Sequence, residues 1–205
     1  MNKSKARLAF EMLEKEMETL SQEQQRNLKG GDIGAVTSGT GTSNDPFIIT
    51  IPIYYGNDLS LDMQNSIHSS INSINTISSN GLTVNGKMYR YNAVATISAN
   101  TASAQNDAGA NSSYSGLIKT GNLTSSVGGA PILGDAGSVV ATIDPFNVSM
   151  SNSSLSKVIS HEIGHLLGLN HSTSSSSGMT ASVTGNSNSG LTQEDLENVI
   201  RNRNW

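Results

Sequence analysis

The chain has 205 residues, a formal net charge of −4 and no cysteine, and only 14% of its residues are charged. This length suits one domain with a sizeable core and room for a short appendage. The weak charge makes nucleic acid and anionic membranes poor partners, no apolar run is long enough to span a bilayer, and the lack of cysteine excludes disulfides and thiolate zinc sites.

Residues 1–31 differ from the rest, because they hold most of the lysine and much of the glutamate. Apolar residues recur there at helical spacing and predict a short amphipathic helix: Phe10, Leu13, Met17 and Leu20. The letters LSQEQQRNLKGG resemble the end of a double-glycine leader, which a peptidase-containing export transporter removes; the matching residues are Leu20, Ser21, Leu28, Gly30 and Gly31. This resemblance implies cleavage after Gly31 and export from a bacterial cell, whereas the alternative is a solvated helix followed by a flexible linker.

Residues 32–45, DIGAVTSGTGTSND, are rich in Gly, Ser and Thr and are predicted to be a linker, so the domain is expected to span 46–205. PFIITIPIYY then predicts a first strand. Because Pro52 cannot donate a ladder hydrogen bond, it predicts an edge position or a bulge for this strand.

The next elements predict a βαβ crossover. Ile67, Ile71 and Ile74 form the apolar stripe of a helix, with Ser60 or Asp58 as its N-cap. A strand near MYRYNAVATIS follows, and the polar stretch SANTASAQNDAGANSS after it is expected on the surface. Two parallel strands joined by a helix of this length form a crossover unit.

Further strands are predicted at YSGLIKT and GSVVATIDP. The second is the candidate edge strand that a peptide substrate would join by strand addition. A helix then begins after Ser154 or Ser156, and its apolar residues would face the sheet. The C-terminal letters GLTQEDLENVIRNRNW predict a last helix with Thr192 as N-cap.

The segment HEIGHLLGLNH, residues 161–171, holds three histidines and one glutamate. Residues four apart in a helix share one face, about 6 Å apart, so His161 and His165 can converge on one metal ion. An unbroken helix would carry His171 about 120° away from that face. Gly168 therefore predicts a helix end, where a left-handed glycine would turn the chain and return His171 to the same ion. The alternative is a helix that holds histidines for structural reasons.

Glu162 would project beside the metal face without being a ligand. Three histidines leave the fourth position of zinc open, as a catalytic site requires. Zinc would lower the pKa of a bound water, and Glu162 would take its proton as general base while the water attacks a polarised carbonyl.

The same letters, His161-Glu162-x-x-His165-x-x-Gly168-x-x-His171, resemble the metzincin signature. Metzincins also carry a methionine turn beneath the zinc, and Met179 lies eight residues after the last histidine. That spacing, with Ser172 after the last histidine, resembles the matrixin branch, whereas the alternative for Met179 is a flexible core residue. The resemblance implies a zinc endopeptidase with an α+β fold: a twisted, mostly parallel sheet, two long helices and a small C-terminal subdomain with one helix.

The chain departs from the matrixin pattern in two respects. His68 is the only histidine outside the motif, so the second, structural zinc that matrixins bind has no ligand set here. The cysteine that keeps matrixins latent is also missing. A zymogen could instead be restrained by a carboxylate ahead of the domain, with Asp32 and Asp45 as candidates. Calcium is possible at Asp107, Asp135 or Asp144, but no loop has the regular ligand spacing of a calcium site.

The sequence favours a secreted zinc endopeptidase that acts on proteins or peptides as a monomer. One alternative is a secreted toxin or bacteriocin-like binding protein that keeps a zinc site without turnover. Another is a zinc hydrolase with a different substrate. Glu162 argues against the binding protein, because a purely structural zinc site does not need it.

Overall fold

The computed structural model describes residues 33–110, 114–123, 134–137, 139–150, 154–180 and 190–203. The leader predicted over 1–31, with Gly30 and Gly31, lies outside these residues and stays a prediction. The described strands are β1 (Ala35–Ser38), β2 (Phe47–Gly56), β3 (Leu82–Val84), β4 (Lys87–Ser98), β5 (Gly116–Thr120), β6 (Gly134–Ala136) and β7 (Val140–Ile143). The described helices are α1 (Leu61–Ser78), α2 (Thr101–Ala110), α3 (Pro145–Met150), α4 (Leu155–Leu166) and α5 (Gln193–Arg203).

The strands form one mixed sheet in the order β3-β4-β2-β5-β7-β6, with β1 beside β2. The central strands β4, β2, β5 and β7 are parallel to one another. The short strands β1, β3 and β6 pair antiparallel with their neighbours. The predicted α+β class with a mostly parallel sheet is confirmed.

The predicted crossover is also confirmed. Strand β2 pairs in parallel with β4 along its whole length, from Phe47 opposite Tyr89 to Gly56 opposite Ser98. Helix α1 joins them and begins after Ser60, whose hydroxyl oxygen accepts the backbone N–H of Met63 at 3.3 Å. The other candidate cap, Asp58, accepts the backbone N–H of Thr101 at the start of α2 instead.

The edge position predicted for the strand with Pro52 is wrong, because β2 lies inside the sheet. On one side β2 pairs with β4, and on the other it pairs first with β1 through 48–50 and then with β5 through Ile53 and Tyr54. Pro52 lies between those two pairings. The sheet accommodates its missing N–H where one neighbour ends and the next begins.

The prediction of a linker over 32–45 is wrong for its first half. Ala35–Ser38 form β1, which pairs with β2. Ile33 is fully buried, and its carbonyl oxygen accepts a hydrogen bond from Arg203 at the end of α5. Three backbone N–H groups of 40–42 bond to the carbonyl oxygen of Asp45 and close the turn before β2. The folded domain therefore begins before residue 46.

Two more elements differ from the prediction. GSVVATIDP contains β7, but β7 lies between β5 and β6, so the terminal strand of the described sheet is β6. Its letters, GDA, are too short and polar to give a strand signal. Helix α2 falls in the stretch expected to be exposed polar surface, and Ala104 is its one buried residue. A helix with so narrow an apolar contact leaves no periodicity to detect.

Helix α4 lies in the centre of the core. It packs against α1, where the hydroxyl of Ser70 donates to the carbonyl oxygen of Ser156 at 3.1 Å. Several of its apolar side chains are completely buried: Val158, Ile159, Ile163 and Leu166. No helix among the described residues is both long and apolar enough to cross a membrane.

Candidate metal centre

The end of α4 is the geometric basis of the histidine cluster. The helix stops at Leu166, and Gly168 adopts the left-handed conformation with φ of 86°. The N–H of Gly168 bonds to the carbonyl oxygen of His165 at 2.8 Å, and that of Leu169 bonds to Gly164 at 2.9 Å. These two bonds define a Schellman motif, the usual way in which a glycine ends a helix. The helix end predicted at Gly168 is therefore present.

The turn brings the three histidines of the motif together. Nε2 of His165 lies 3.1 Å from Nε2 of His161 and 3.2 Å from Nε2 of His171. All three rings can present a ligand atom within 4.8 Å of the others, and they are the one such group of three or more His, Cys, Asp or Glu among the described residues. His161 is 3% exposed, His165 is half-buried and His171 is exposed.

Hydrogen bonds fix the tautomers of the two helical histidines. Nδ1 of His161 lies 3.0 Å from the carbonyl oxygen of Gly178, and Nδ1 of His165 lies 2.7 Å from that of Leu169. A carbonyl can only accept, so each Nδ1 carries the proton and each Nε2 presents a lone pair. Two lone pairs that face each other at 3.1 Å repel unless a cation lies between them. The donor set therefore fits zinc, which binds neutral imidazole nitrogen.

The protonation of the cluster agrees with this arrangement. Burial lowers the pKa of His161 to about 4, and its hydrogen bond to Gly178 only partly opposes the shift. Burial also lowers the pKa of His165. At neutral pH both rings are neutral, which is the form that binds a metal.

Glu162 follows His161 on α4 and is 5% exposed. A β-carbon at Gly134 would lie only 2.6 Å from its Oε1 atom, so the carboxyl group rests directly against the backbone of β6. Burial, with a smaller contribution from the charge of Asp135, raises the pKa of Glu162 to about 8. The metal-free protein therefore holds a proton on this carboxyl group at neutral pH. A nearby cation would favour the ionised form.

Met179 packs against α4 at Gly164 and is 1% exposed. Its carbonyl oxygen accepts the N–H of Ser172 at 2.7 Å, which closes the loop that follows His171. A β-carbon at Gly164 would overlap the sulfur of Met179. Sequence analysis did not single out Gly164, because the need for a glycine there arises from a contact with a residue in another segment of the chain.

Asp195, at the start of α5, is the second residue that sequence analysis missed. Its side chain is buried, with 4% exposure. Its Oδ1 atom accepts the hydroxyl of Ser177 at 2.6 Å, and its Oδ2 atom accepts the N–H of Gly178 at 2.9 Å. It also forms a capping box with Thr192, the predicted N-cap of α5. Two residues on the methionine turn are thus bonded to the C-terminal helix.

The remaining candidates lie elsewhere. Nε2 of His68 is hydrogen-bonded to the hydroxyl of Tyr55 at 2.7 Å. Of the calcium candidates, Asp107 accepts a hydrogen bond from Ser98 and Asp144 caps α3 through the N–H of Asn147. Asp135 lies on β6, and these three aspartates form no common cluster among the described residues.

Comparison with known proteins identifies the family. Residues 58–202, which extend from before α1 through most of α5, match the peptidase family model described as Matrixin. The chain belongs to the matrixin family. Among solved structures, archaemetzincin from Methanopyrus kandleri is similar, with 15% identity and a TM-score of 0.43 over 75% of this chain and 94% of that chain. A search of curated proteins found no match.

Membership in the matrixins makes this chain a zinc-dependent metallopeptidase, and the cluster of His161, His165 and His171 supplies a group that could hold the ion. The predicted hydrolase class, protease activity and zinc cofactor are confirmed at this level.

Proposed function

We propose that this matrixin is a secreted zinc endopeptidase in which His161, His165 and His171 hold the metal and Glu162 is the general base. The observation that carries the proposal is the position of Glu162. Its buried carboxyl group follows His161 on α4 and lies against Gly134 in β6, and the charge of Asp135 in the same strand acts on both Glu162 and His165. Peptide hydrolysis needs a proton acceptor close to both the metal and the bound substrate.

Zinc, when bound, supplies a Lewis acid that activates water and polarises the carbonyl group of a peptide bond. Glu162 accepts the proton of the attacking water and passes it to the amine that leaves. Its burial favours the proton-bearing state that the second transfer needs. The carbonyl oxygens of Gly178 and Leu169 keep two of the imidazoles oriented through their Nδ1 protons.

Strand β6 is the proposed docking edge for the substrate. It is the terminal strand of the described sheet, so its outer edge can pair with an extended peptide. At Gly134 this strand lies directly against Glu162. A peptide paired with β6 would therefore pass across the proposed metal centre, as cleavage within a chain requires.

Secretion is proposed from the N-terminal sequence. The letters of 20–31 support removal of a double-glycine leader by a peptidase-containing transporter of a bacterial cell, which would release a monomeric enzyme from Asp32 onward. Export assays with Gly30 and Gly31 replaced together by bulkier residues test this. Unchanged release of a shortened chain would remove the leader from the proposal.

The decisive experiment measures zinc content and casein cleavage for the full chain and for residues 32–205. We expect about one zinc per chain, and a fall of about 10²–10⁴-fold in cleavage when Glu162 is replaced by glutamine. Glu194→Gln is the matched control, because it makes the same substitution at an exposed position of α5. Cleavage that persists in Glu162→Gln would remove the general base. Zinc without any cleavage would favour the binding-protein alternative.

A further inference from the structure

One peptide group connects His161 to a buried carboxylate. The carbonyl of Gly178 accepts the Nδ1 proton of His161 at 3.0 Å. The N–H of the same peptide group, that of Met179, donates to the hydroxyl oxygen of Ser177 at 3.0 Å. The hydroxyl of Ser177 donates in turn to Oδ1 of Asp195 at 2.6 Å. Three consecutive hydrogen bonds thus run from the imidazole to the carboxylate.

All three bonds point in the same direction. A carbonyl oxygen can only accept and a backbone N–H can only donate, which fixes the first two bonds. The hydroxyl of Ser177 has one proton, and the short contact with a carboxylate oxygen uses it. The peptide group is conjugated, so a hydrogen bond made by its N–H changes the electron density on its carbonyl oxygen. Aligned hydrogen bonds in a buried setting strengthen one another.

We propose that Asp195 is a positioning residue of the metal centre, which acts through Ser177 and the peptide group between Gly178 and Met179 to orient His161 and make it a stronger ligand. A carboxylate that accepts a proton from a ligating histidine is a known way to increase ligand basicity. Here a hydroxyl and one peptide group separate the two. This inference depends on the metal centre proposed above.

The hydroxyls of Ser177 and Thr192 bond to different oxygens of this carboxylate, so the proposed role can be separated from simple helix capping. Oδ1 bonds to Ser177 and belongs to the connection with His161. Oδ2 bonds to the N–H and the hydroxyl of Thr192, which caps α5, and also accepts the N–H of Gly178 at 2.9 Å. Ser177 and Thr192 are therefore matched. Each donates its hydroxyl to Asp195, and each accepts one backbone N–H, from Met179 and Asp195 respectively.

The test compares Ser177→Ala with Thr192→Ala in the full chain. Zinc affinity is measured by competition with a chromogenic chelator, the unfolding midpoint is measured without metal, and the absorption bands are recorded with Co²⁺. We expect both variants to lower the midpoint by similar amounts. Only Ser177→Ala should weaken zinc binding, by about 10-fold or more, and shift the Co²⁺ bands.

Asp195→Asn is the second variant, because it keeps the shape of the side chain while it removes the charge; it should weaken zinc binding as Ser177→Ala does. Equal losses of affinity in Ser177→Ala and Thr192→Ala would overturn the proposal, and so would wild-type affinity in Ser177→Ala or Asp195→Asn. A wild-type chain that binds no zinc would remove the proposed metal centre and this inference together. Zinc binding without peptide cleavage would contradict the proposed function alone.

Discussion

The two histidines on α4 and the third histidine beyond it are supported in different ways. His161 and His165 belong to a helix in the middle of the core, and backbone carbonyls hold both rings. His171 is exposed and is brought to them by a glycine turn and a loop. The helical pair is therefore prearranged by the packing of the whole domain, whereas the third ligand depends on local backbone conformation.

Removing one helical histidine, or the histidine beyond the helix, gives the largest expected effect, which is on zinc affinity. We expect His161→Ala and His171→Ala each to weaken zinc binding by more than the roughly 100-fold that outer contacts can contribute. They should differ without metal. His161→Ala leaves the carbonyl of Gly178 without its donor and should lower the free energy of unfolding by about 1–3 kcal/mol, whereas His171→Ala should change it by less than about 0.5 kcal/mol. Urea unfolding in a chelator measures both, and equal losses would contradict the distinction.

The pH dependence of stability sharpens the comparison on the helical side. The pKa of Glu162 is about 8 in the folded chain against 4.5 for the ordinary group. Between these values the folded state holds a proton that the unfolded state has lost, so stability falls as pH rises, by about 1.4 kcal/mol for each unit. Glu162→Gln removes this loss. In metal-free protein we therefore expect the variant to gain stability over wild type from pH 5 to pH 8; a constant difference across that range would contradict it.

The contact between Gly164 of α4 and Met179 gives the smallest expected effect, which is on the free energy of unfolding. Gly164→Ala would push a β-carbon into the sulfur of Met179 and bring it to 3.0 Å from Leu191. We expect a loss of about 1–3 kcal/mol from overpacking. Gly109→Ala in α2 is the control, because nothing lies within 4 Å of its new β-carbon, and it should stabilise the protein by about 0.4–1 kcal/mol. Thermal unfolding measures both, and a stabilised Gly164→Ala would show that Met179 yields without cost.

The sequence predicted what depends on neighbours along the chain. The spacing of His161 and His165 and the turn at Gly168 follow from local helix geometry and are present in the structure. The start of α1 was narrowed to two candidate caps, Ser60 and Asp58, of which Ser60 is the one used. The crossover between β2 and β4 followed from the length of the connecting helix.

Features that depend on distant contacts could not be predicted. Pro52 indicated an edge position or a bulge because sequence does not show that β2 changes neighbours at that residue. Strand β1 has the composition of a linker and forms only because β2 is available to pair with it. Asp195 resembled an ordinary acid in the first turn of a helix, and its bonds to Ser177 and Gly178 exist only in the folded chain.

The burial of α4 also has a consequence for how this enzyme can change over generations. The residues between the two helical histidines are buried, so a substitution there alters stability and chemistry at once. Few substitutions inside this helix can therefore change the substrate specificity without disturbing the core. Variation can instead accumulate at the exposed Asp135 of β6, because Gly134 lies against Glu162 and Ala136 packs against the core. The residues proposed for catalysis and the position free to vary are thus on different elements, α4 and β6.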